Sequence, residues 1–274
     1  MPGELRYPRR VREIATNRAQ WDERTTIHIR SAFYDIEGFK AGRSTLKPVE
    51  IAEVGDVDGR RLLHLQCHFG LDTLSWARLG AQVTGVDFSQ EAITTARGLA
   101  DELGLNAEFV CCDVYELPNN LAGAFDLVFT SYGVLVWLPD LPRWAEVIAH
   151  FLDEGGSFYI VDEHPLGATV VEDDGKLVVA DSYFDVGPIT VPARGTYADP
   201  DAALANTTSY QWQHPLSDVI TALSGAGLRI EFLHEFPVSG WQRLPSMVKG
   251  EDGWWRLPGR DDLPLVFSLR ARKG

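Results

Sequence analysis

Cysteine is scarce in this chain: three occur among 274 residues, and two of them, Cys111 and Cys112, are adjacent. A disulfide framework is therefore not expected, and a reducing cytoplasm suits the composition best. Positive charge is also short, with 25 Lys and Arg against 39 Asp and Glu and a formal net charge of −14. That balance repels nucleic-acid phosphates, so no nucleic-acid partner is expected. The one basic stretch, Arg6 to Arg18, is diluted by Glu4 and Glu13 and reads as a solvated terminal helix. No run of about 18 apolar residues is present, which argues against a membrane-spanning helix. The opening residues lack the apolar core of a signal peptide, and there are no internal repeats or low-complexity tracts. With 45% hydrophobic and 23% charged residues, the composition is that of an ordinary globular protein. The length suits one large domain, or one domain with a sizeable insertion.

What the chain does have is an alternation centred on residues 61–113. An apolar run, Leu62 to Leu65, enters the polar turn Gln66-Cys67-His68-Phe69-Gly70. Leu71, Leu74, Ala77 and Arg78 then recur at helical spacing, and Gly80-Ala81 stops that helix. A second apolar run, Val83 to Val86, ends in Asp87. Strand, tight turn, helix, strand, acid is the outline of a βαβ nucleotide-binding unit. Such a unit holds its ligand outside the carboxyl ends of the strands, with the acid accepting hydrogen bonds from ribose hydroxyls. Asp87 has that position. A G-x-G-x-x-G turn is missing, so a dinucleotide is the poorer ligand. The pattern continues with a helix capped by Ser89 and stopped by Gly104, then a strand over 107–112 that ends in Asp113. Another strand, 125–130, leads into Ser131-Tyr132-Gly133, and a helix over 141–152 precedes Gly155-Gly156 and a fifth strand, 157–161.

Residues 62–70, Val86-Asp87, Cys112-Asp113 and Phe125-Asp126-Leu127-Val128 resemble the landmarks of class I S-adenosylmethionine-dependent methyltransferases. The helix ending in Leu152-Asp153-Glu154-Gly155-Gly156 resembles the same family's turn before its fifth strand. The likeness covers residues 59–164 and, more weakly, 215–236. It implies an α/β fold, a doubly wound and mostly parallel seven-stranded sheet of Rossmann-like methyltransferase type. It also implies S-adenosylmethionine as cofactor and a small-molecule methyl acceptor. By the same resemblance the cofactor meets His64, Gln66, Cys67 and Gly70 of the first turn, with Asp87 at the ribose and Asp113 near the adenine amino group. Phe88 and Val114 or Tyr115 would sandwich the adenine, and Ser131 and Tyr34 complete the set. One departure stands out. The family's acid near the end of the first strand is replaced by His64, and two glycine places hold Gln66 and His68. Glycine permits positive φ and close approach of backbone to ligand. Gln66 and His68 must therefore adopt those angles themselves or put side chains where backbone would touch the cofactor.

Flanking segments complete the reading. Residues 11–24 read as a helix carrying Trp21, residues 27–34 as a second short segment carrying His28, Phe33 and Tyr34, and residues 49–54 as a short helix. Helices in this place often cover the cofactor in the resembled family, so Trp21, His28 and Tyr34 are candidates to line a closed pocket. Simple packing onto the body is the alternative. We expect an N-terminal helical cap over 1–58 and a methyltransferase-like domain over 59–274. Residues 165–213 form an insertion after the fifth strand, either a substrate cap or a hairpin covering a sheet edge. Pro215, then Leu216, Val219, Ile220 and Leu223, then Gly225 and Gly227, mark a helix. Strands over 228–236 and 263–270 are expected to pair antiparallel.

Methyl transfer from a sulfonium needs alignment and exclusion of water more than covalent help. A base is required only for a hydroxyl or a protonated amine, and His28, Tyr132 and His164 are the candidates. No metal is expected: His64, Cys67 and His68 lie on or after the first strand and Cys111-Cys112 on the third, with the second strand between them. The expected activity is methyl transfer to an O or N atom. The altered turn leaves two alternatives open, a protein of the same fold with other chemistry and a binding protein without catalysis.

Overall fold

The computed structural model describes residues 7–184 and 187–274; Glu4 and Arg6 lie outside them. Helices α1 (Tyr7–His28), α2 (Ile36–Lys40) and α3 (Pro48–Val54) lead into an alternating run. That run is β1 (Arg61–Leu65), α4 (Leu71–Arg78), β2 (Gln82–Asp87), α5 (Gln90–Leu103), β3 (Ala107–Cys111), α6 (Leu117–Asn120), β4 (Phe125–Ser131), α7 (Leu141–Phe151) and β5 (Leu152–Glu163). The insertion holds α8 (Pro165–Thr169) and two hairpins, β6 (Val170–Asp173) with β7 (Lys176–Val179) and β8 (Pro188–Pro192) with β9 (Thr208–Trp212). The chain ends with α9 (Leu216–Gly225), β10 (Leu228–Phe236), a ribbon of β11 (Val248–Lys249) and β12 (Trp255–Arg256), and β13 (Val266–Lys273).

Seven strands form one sheet in the order β10-β13-β5-β4-β1-β2-β3. The doubly wound, mostly parallel sheet expected from the sequence is present, with β13 antiparallel to both of its neighbours. Helices cover both faces, so the central strands are continuous apolar runs rather than alternating ones. Leu63, Val128 and Phe158 face Trp144, Phe151 and the apolar side of α9. Leu62, Leu127, Phe129 and Tyr159 face Trp76 and Val54. Full burial of side chains this large contributes roughly 1.5–3 kcal/mol each. The sheet winds outward in both directions from between β1 and β4, and a crevice opens there at the carboxyl ends of the strands.

Several boundaries differ from the sequence reading, each for a local reason. β5 starts at Leu152, directly after α7, and runs through Gly155-Gly156. Gly155 has φ +73°, and a Cβ on Gly156 would stand 2.8 Å from the Asp153 carbonyl oxygen, so the glycines bend the strand rather than precede it. The last strand begins at Val266 instead of residue 263. Residues 27 and 28 belong to α1, not to a separate segment, and α2 follows behind the N-cap Asp35, whose side chain accepts from the Gly38 N–H.

The face that α1 buries is polar. Glu13, Asn17, Gln20, Arg24 and His28 recur at helical spacing, and all are buried. Asn17 pairs both ways with the Tyr210 backbone of β9, at 2.7 and 2.8 Å. Gln20 donates to the Asn206 carbonyl, and Glu23 accepts from the Ala205 and Asn206 N–H groups. These bonds join the insertion to α1, over the carboxyl ends of the main strands, rather than along an edge of the main sheet. Among the described residues, no helix is long and apolar enough to cross a membrane.

Candidate functional site

A cavity of about 790 Å³ lies over the carboxyl ends of β1 to β5. Its floor includes Gln66, Asp87, Asp113, Ser131 and Glu163, and its roof Trp21, Arg24, Tyr34, Tyr197 and Trp241. The size falls within the range of small-ligand pockets, roughly 300–1,000 Å³. Tyr34 and Tyr197 hydrogen-bond through their hydroxyls, closing the roof between the segment after α1 and the insertion.

The turn after β1 answers the question raised by its missing glycines. Gln66 has φ +57° and His68 φ +51°, so both take the left-handed conformation themselves, next to Gly70 at φ +79°. Each such residue costs on the order of 1–2 kcal/mol. The turn is held by the Cys67 N–H on the Val86 carbonyl, the Gly70 N–H on the Cys67 carbonyl, and the His68 N–H on Asp87 Oδ2 at 2.8 Å. Gln66 Nε2 donates to the Val134 carbonyl, while Gln66 Oε1 and His68 Nδ1 are buried without a partner.

Asp87 ends β2. Its Oδ1 accepts from the Ser89 N–H at 2.9 Å, and burial pushes its carboxyl up to about 6. Each oxygen keeps a lone pair for a further donor. Phe88 and Val114 line the same end of the cavity. Asp113, also raised by burial, accepts from the Tyr115 N–H through Oδ1. Cys67 lines the cavity as a buried thiol raised by burial.

His64 is buried, and burial holds its imidazole down at about 3, hence neutral. Its Nδ1 lies 2.8 Å from Thr73 Oγ1 and its Nε2 3.3 Å from Ser131 Oγ. Ser131 Oγ donates to Asp72 Oδ2 at 3.0 Å, so it accepts from His64 and fixes the proton on Nε2. The second oxygen of Asp72 accepts from Thr45 Oγ1. An acid thus reaches the cavity from the first turn of α4, although the end of β1 has none.

Of the three candidate bases, Tyr132 and His164 line the cavity and His28 does not. His28 does not line the cavity: it lies fully buried behind His68, with Nδ1 3.3 Å from His68 Nε2, and burial holds it at about 3. Tyr132 lines the cavity, but its hydroxyl donates to Glu50 Oε2 at 2.8 Å, and burial raises it well above its ordinary value. His164 uses both ring nitrogens, Nδ1 accepting from the Leu166 N–H at 3.1 Å and Nε2 bonding Glu235 Oε1 at 2.8 Å. It is the cap of α8.

A carboxyl that the sequence reading passed over lies at the same cavity. Glu163, the last residue of β5, lines the cavity and bonds Ser239 Oγ and the Gly240 N–H. Burial pushes it up to about 8, opposed by the Arg243 guanidinium. An unfolded glutamate titrates near 4.3, so the folded state holds an extra proton between that pH and about 8. Stability from this group is complete at low pH and is lost as pH rises through that window. We expect Glu163→Gln to flatten the fall in unfolding free energy between pH 5 and 8 by on the order of 2–4 kcal/mol, read by urea titration at each pH. A parallel slope in both proteins would show an ordinary glutamate. Glu50, raised to about 7 by burial, and Asp87 act in the same direction and leave a residual slope.

Among the described residues, no group of three or more His, Cys, Asp or Glu side chains converges as a metal site. Residues 62–156 match the family described as methyltransferase domain. A ubiquinone biosynthesis O-methyltransferase of Xanthomonas axonopodis pv. citri (strain 306) is 32% identical over 131 residues, 47% of this chain and 54% of that protein. The chain therefore matches about half the length of such curated relatives. The structure of an S-adenosylmethionine-dependent methyltransferase from Mesorhizobium loti superposes with a TM-score of 0.61 at 21% identity, covering 85% of this chain and 100% of that one. For a methyltransferase of the same cofactor class from Methanosarcina mazei the TM-score is 0.54 at 20% identity, over 83% and 98% of the two chains. At these identities the structural likeness carries the fold.

Proposed function

We propose that the chain, residues 62–156 of which match a methyltransferase domain, is a class I S-adenosylmethionine-dependent methyltransferase and moves a methyl group from S-adenosylmethionine to an oxygen or nitrogen atom of a small molecule. The observation that carries this reading is the pairing of Asp87 with a turn that leaves two buried polar atoms, Gln66 Oε1 and His68 Nδ1, without partners beside an enclosed cavity. Buried polar atoms are costly to leave unsatisfied, and a ligand carrying hydroxyl and ammonium donors satisfies the Gln66 oxygen. Asp87 would accept from the ribose hydroxyls, and Phe88 and Val114 would flank the adenine. Asp72, with Gln66 Oε1, would receive the ammonium. When bound, S-adenosylmethionine supplies a methyl group already activated by the positive sulfur.

The protein's part is then alignment, dryness and, for a protonated acceptor, a base. Dryness comes from the roof closed by Tyr34 and Tyr197. With His28, Tyr132 and His164 otherwise engaged, Glu163 is the group whose raised carboxyl, ionised above about pH 8, can take a proton at mildly alkaline pH. Calorimetry with S-adenosylhomocysteine tests the cofactor, and a gain of one methyl group in acceptor mass after incubation with S-adenosylmethionine tests the transfer. Absence of measurable heat with S-adenosylhomocysteine sinks the reading as a whole. Binding without any methylated product across phenols and amines removes the transfer.

A further inference from the structure

We propose that Arg24 is the seat of a carboxylate on the methyl acceptor, which makes the acceptor a small aromatic acid. This rests on the functional reading above and names the substrate class of the same site. Arg24 is only 9% exposed, lines the cavity, and has no hydrogen bond at Nε. Among the described residues no carboxylate pairs with it. Its guanidinium carbon lies 5.2 Å from the Trp21 ring centre and 5.5 Å from that of Trp137. The titratable groups that interact with it are the tyrosines Tyr34 and Tyr197, raised by burial and neutral at ordinary pH, and His28 and His68, held neutral by burial. Burying an unpaired cation is expensive, and indole faces recover only part of the lost hydration. An anion arriving through the cavity completes the pairing, and the planar fork of arginine matches a carboxylate with two parallel hydrogen bonds.

Two observations assign that anion to the acceptor rather than to the cofactor. Arg24, Tyr197 and Trp241 all lie outside residues 62–156, the stretch shared with the wider family, whereas Gln66, Asp87, Phe88 and Asp113 lie within it. The wall beside Arg24 is also flat and apolar: Tyr197 stacks on Trp241 with ring centres 5.7 Å apart at 29°, and Trp21 meets Trp137 edge-on at 5.3 Å. Aromatic faces around one cation favour a planar acid.

The test compares wild type, Arg24→Gln and Arg24→Lys by calorimetry. S-adenosylhomocysteine and 5′-methylthioadenosine, which lacks the amino-acid end, are titrated first. The protein saturated with S-adenosylhomocysteine is then titrated with 4-hydroxybenzoate and with its uncharged analogue, 4-hydroxybenzamide. The expected result is a preference for the acid of roughly 10- to 100-fold in wild type, lost in Arg24→Gln and partly kept in Arg24→Lys. Both nucleosides should bind all three proteins alike, and a melting curve of each variant confirms folding. The proposal is overturned if wild type shows no preference for the acid, or if Arg24→Gln keeps it. A loss in Arg24→Gln confined to S-adenosylhomocysteine, with 5′-methylthioadenosine unaffected, overturns it too, since the seat then belongs to the cofactor's carboxylate. Failure of wild type to bind either nucleoside strikes the functional reading instead.

Discussion

Asp162→Ala is expected to lower the unfolding free energy by about 3–5 kcal/mol, a large share of the 5–15 kcal/mol typical of a domain. Asp162 is 2% exposed and lies near the end of β5. Its carboxylate accepts from the Gly133 N–H, from Val134 N–H at 3.2 Å, from Leu135 N–H at 3.0 Å, and from Glu163 N–H at 2.7 Å. Those first three belong to the turn after β4, where Tyr132 at φ +40° and Gly133 at φ +78° are both left-handed. One buried carboxylate thus holds a strained turn in place. Alanine leaves four donors without it, and each orphaned group costs roughly 1–3 kcal/mol before relaxation. Asparagine retains one acceptor oxygen, so its loss should be about half as large. Urea unfolding gives both values, and a loss below about 1 kcal/mol for alanine would mean that water replaces the carboxylate. Because Trp137 follows the same turn and packs on Trp21 of α1, proteolysis near α1 should accelerate in the alanine variant.

The main sheet was legible because its strands advertise themselves. Residues 62–65, 83–86 and 125–130 are apolar runs with glycine or polar stops, and burial on both faces demands such runs. Ser89 and Gly104 marked α5 at both ends because capping chemistry is local: Ser89 Oγ accepts from the Ala92 N–H, and Gly104 sits at φ +63°. What α1 buries was hidden for the opposite reason. Its inward stripe is Glu13, Asn17, Gln20, Arg24 and His28, and hydrophobic periodicity reads such a stripe as the solvent side. β9 owes its place to that stripe, so it was equally hard to foresee.

The site divides along the same line. Positions fixed by the strand–turn–helix outline, such as Asp87, Phe88 and Val114, lie in the cavity. Protonation roles depend on partners remote in sequence: Tyr132 on Glu50, and His164 on Glu235. A histidine beside a strand end looks like a base until the group that occupies its nitrogen is known. Asp72 was hidden differently, because an acid in the first turn of a helix already has a local explanation in the helix dipole. Only its bonds to Thr45 and Ser131 show it turned toward the cavity.

Asp87→Ala should weaken S-adenosylhomocysteine and 5′-methylthioadenosine by the same factor, about 1–3 kcal/mol or roughly 5- to 150-fold, because both carry the ribose. That pattern differs from every outcome named for Arg24, which reads a carboxylate and not a sugar. Part of the loss is indirect, since Asp87 also anchors the His68 and Ser89 N–H groups. Asp87→Asn isolates the direct part: it keeps the side chain's shape and one acceptor, and should lie between wild type and alanine. pH gives an independent readout. Burial raises Asp87 to about 6, and ribose hydroxyls donate best to the ionised carboxylate. Wild-type affinity for 5′-methylthioadenosine should therefore fall as pH drops below 6, while the alanine variant, with nothing to protonate there, should show a flat profile. Equal affinities at pH 8 in wild type and Asp87→Ala, with a common pH profile, would detach this carboxylate from the ribose and leave it only its bonds to His68 and Ser89.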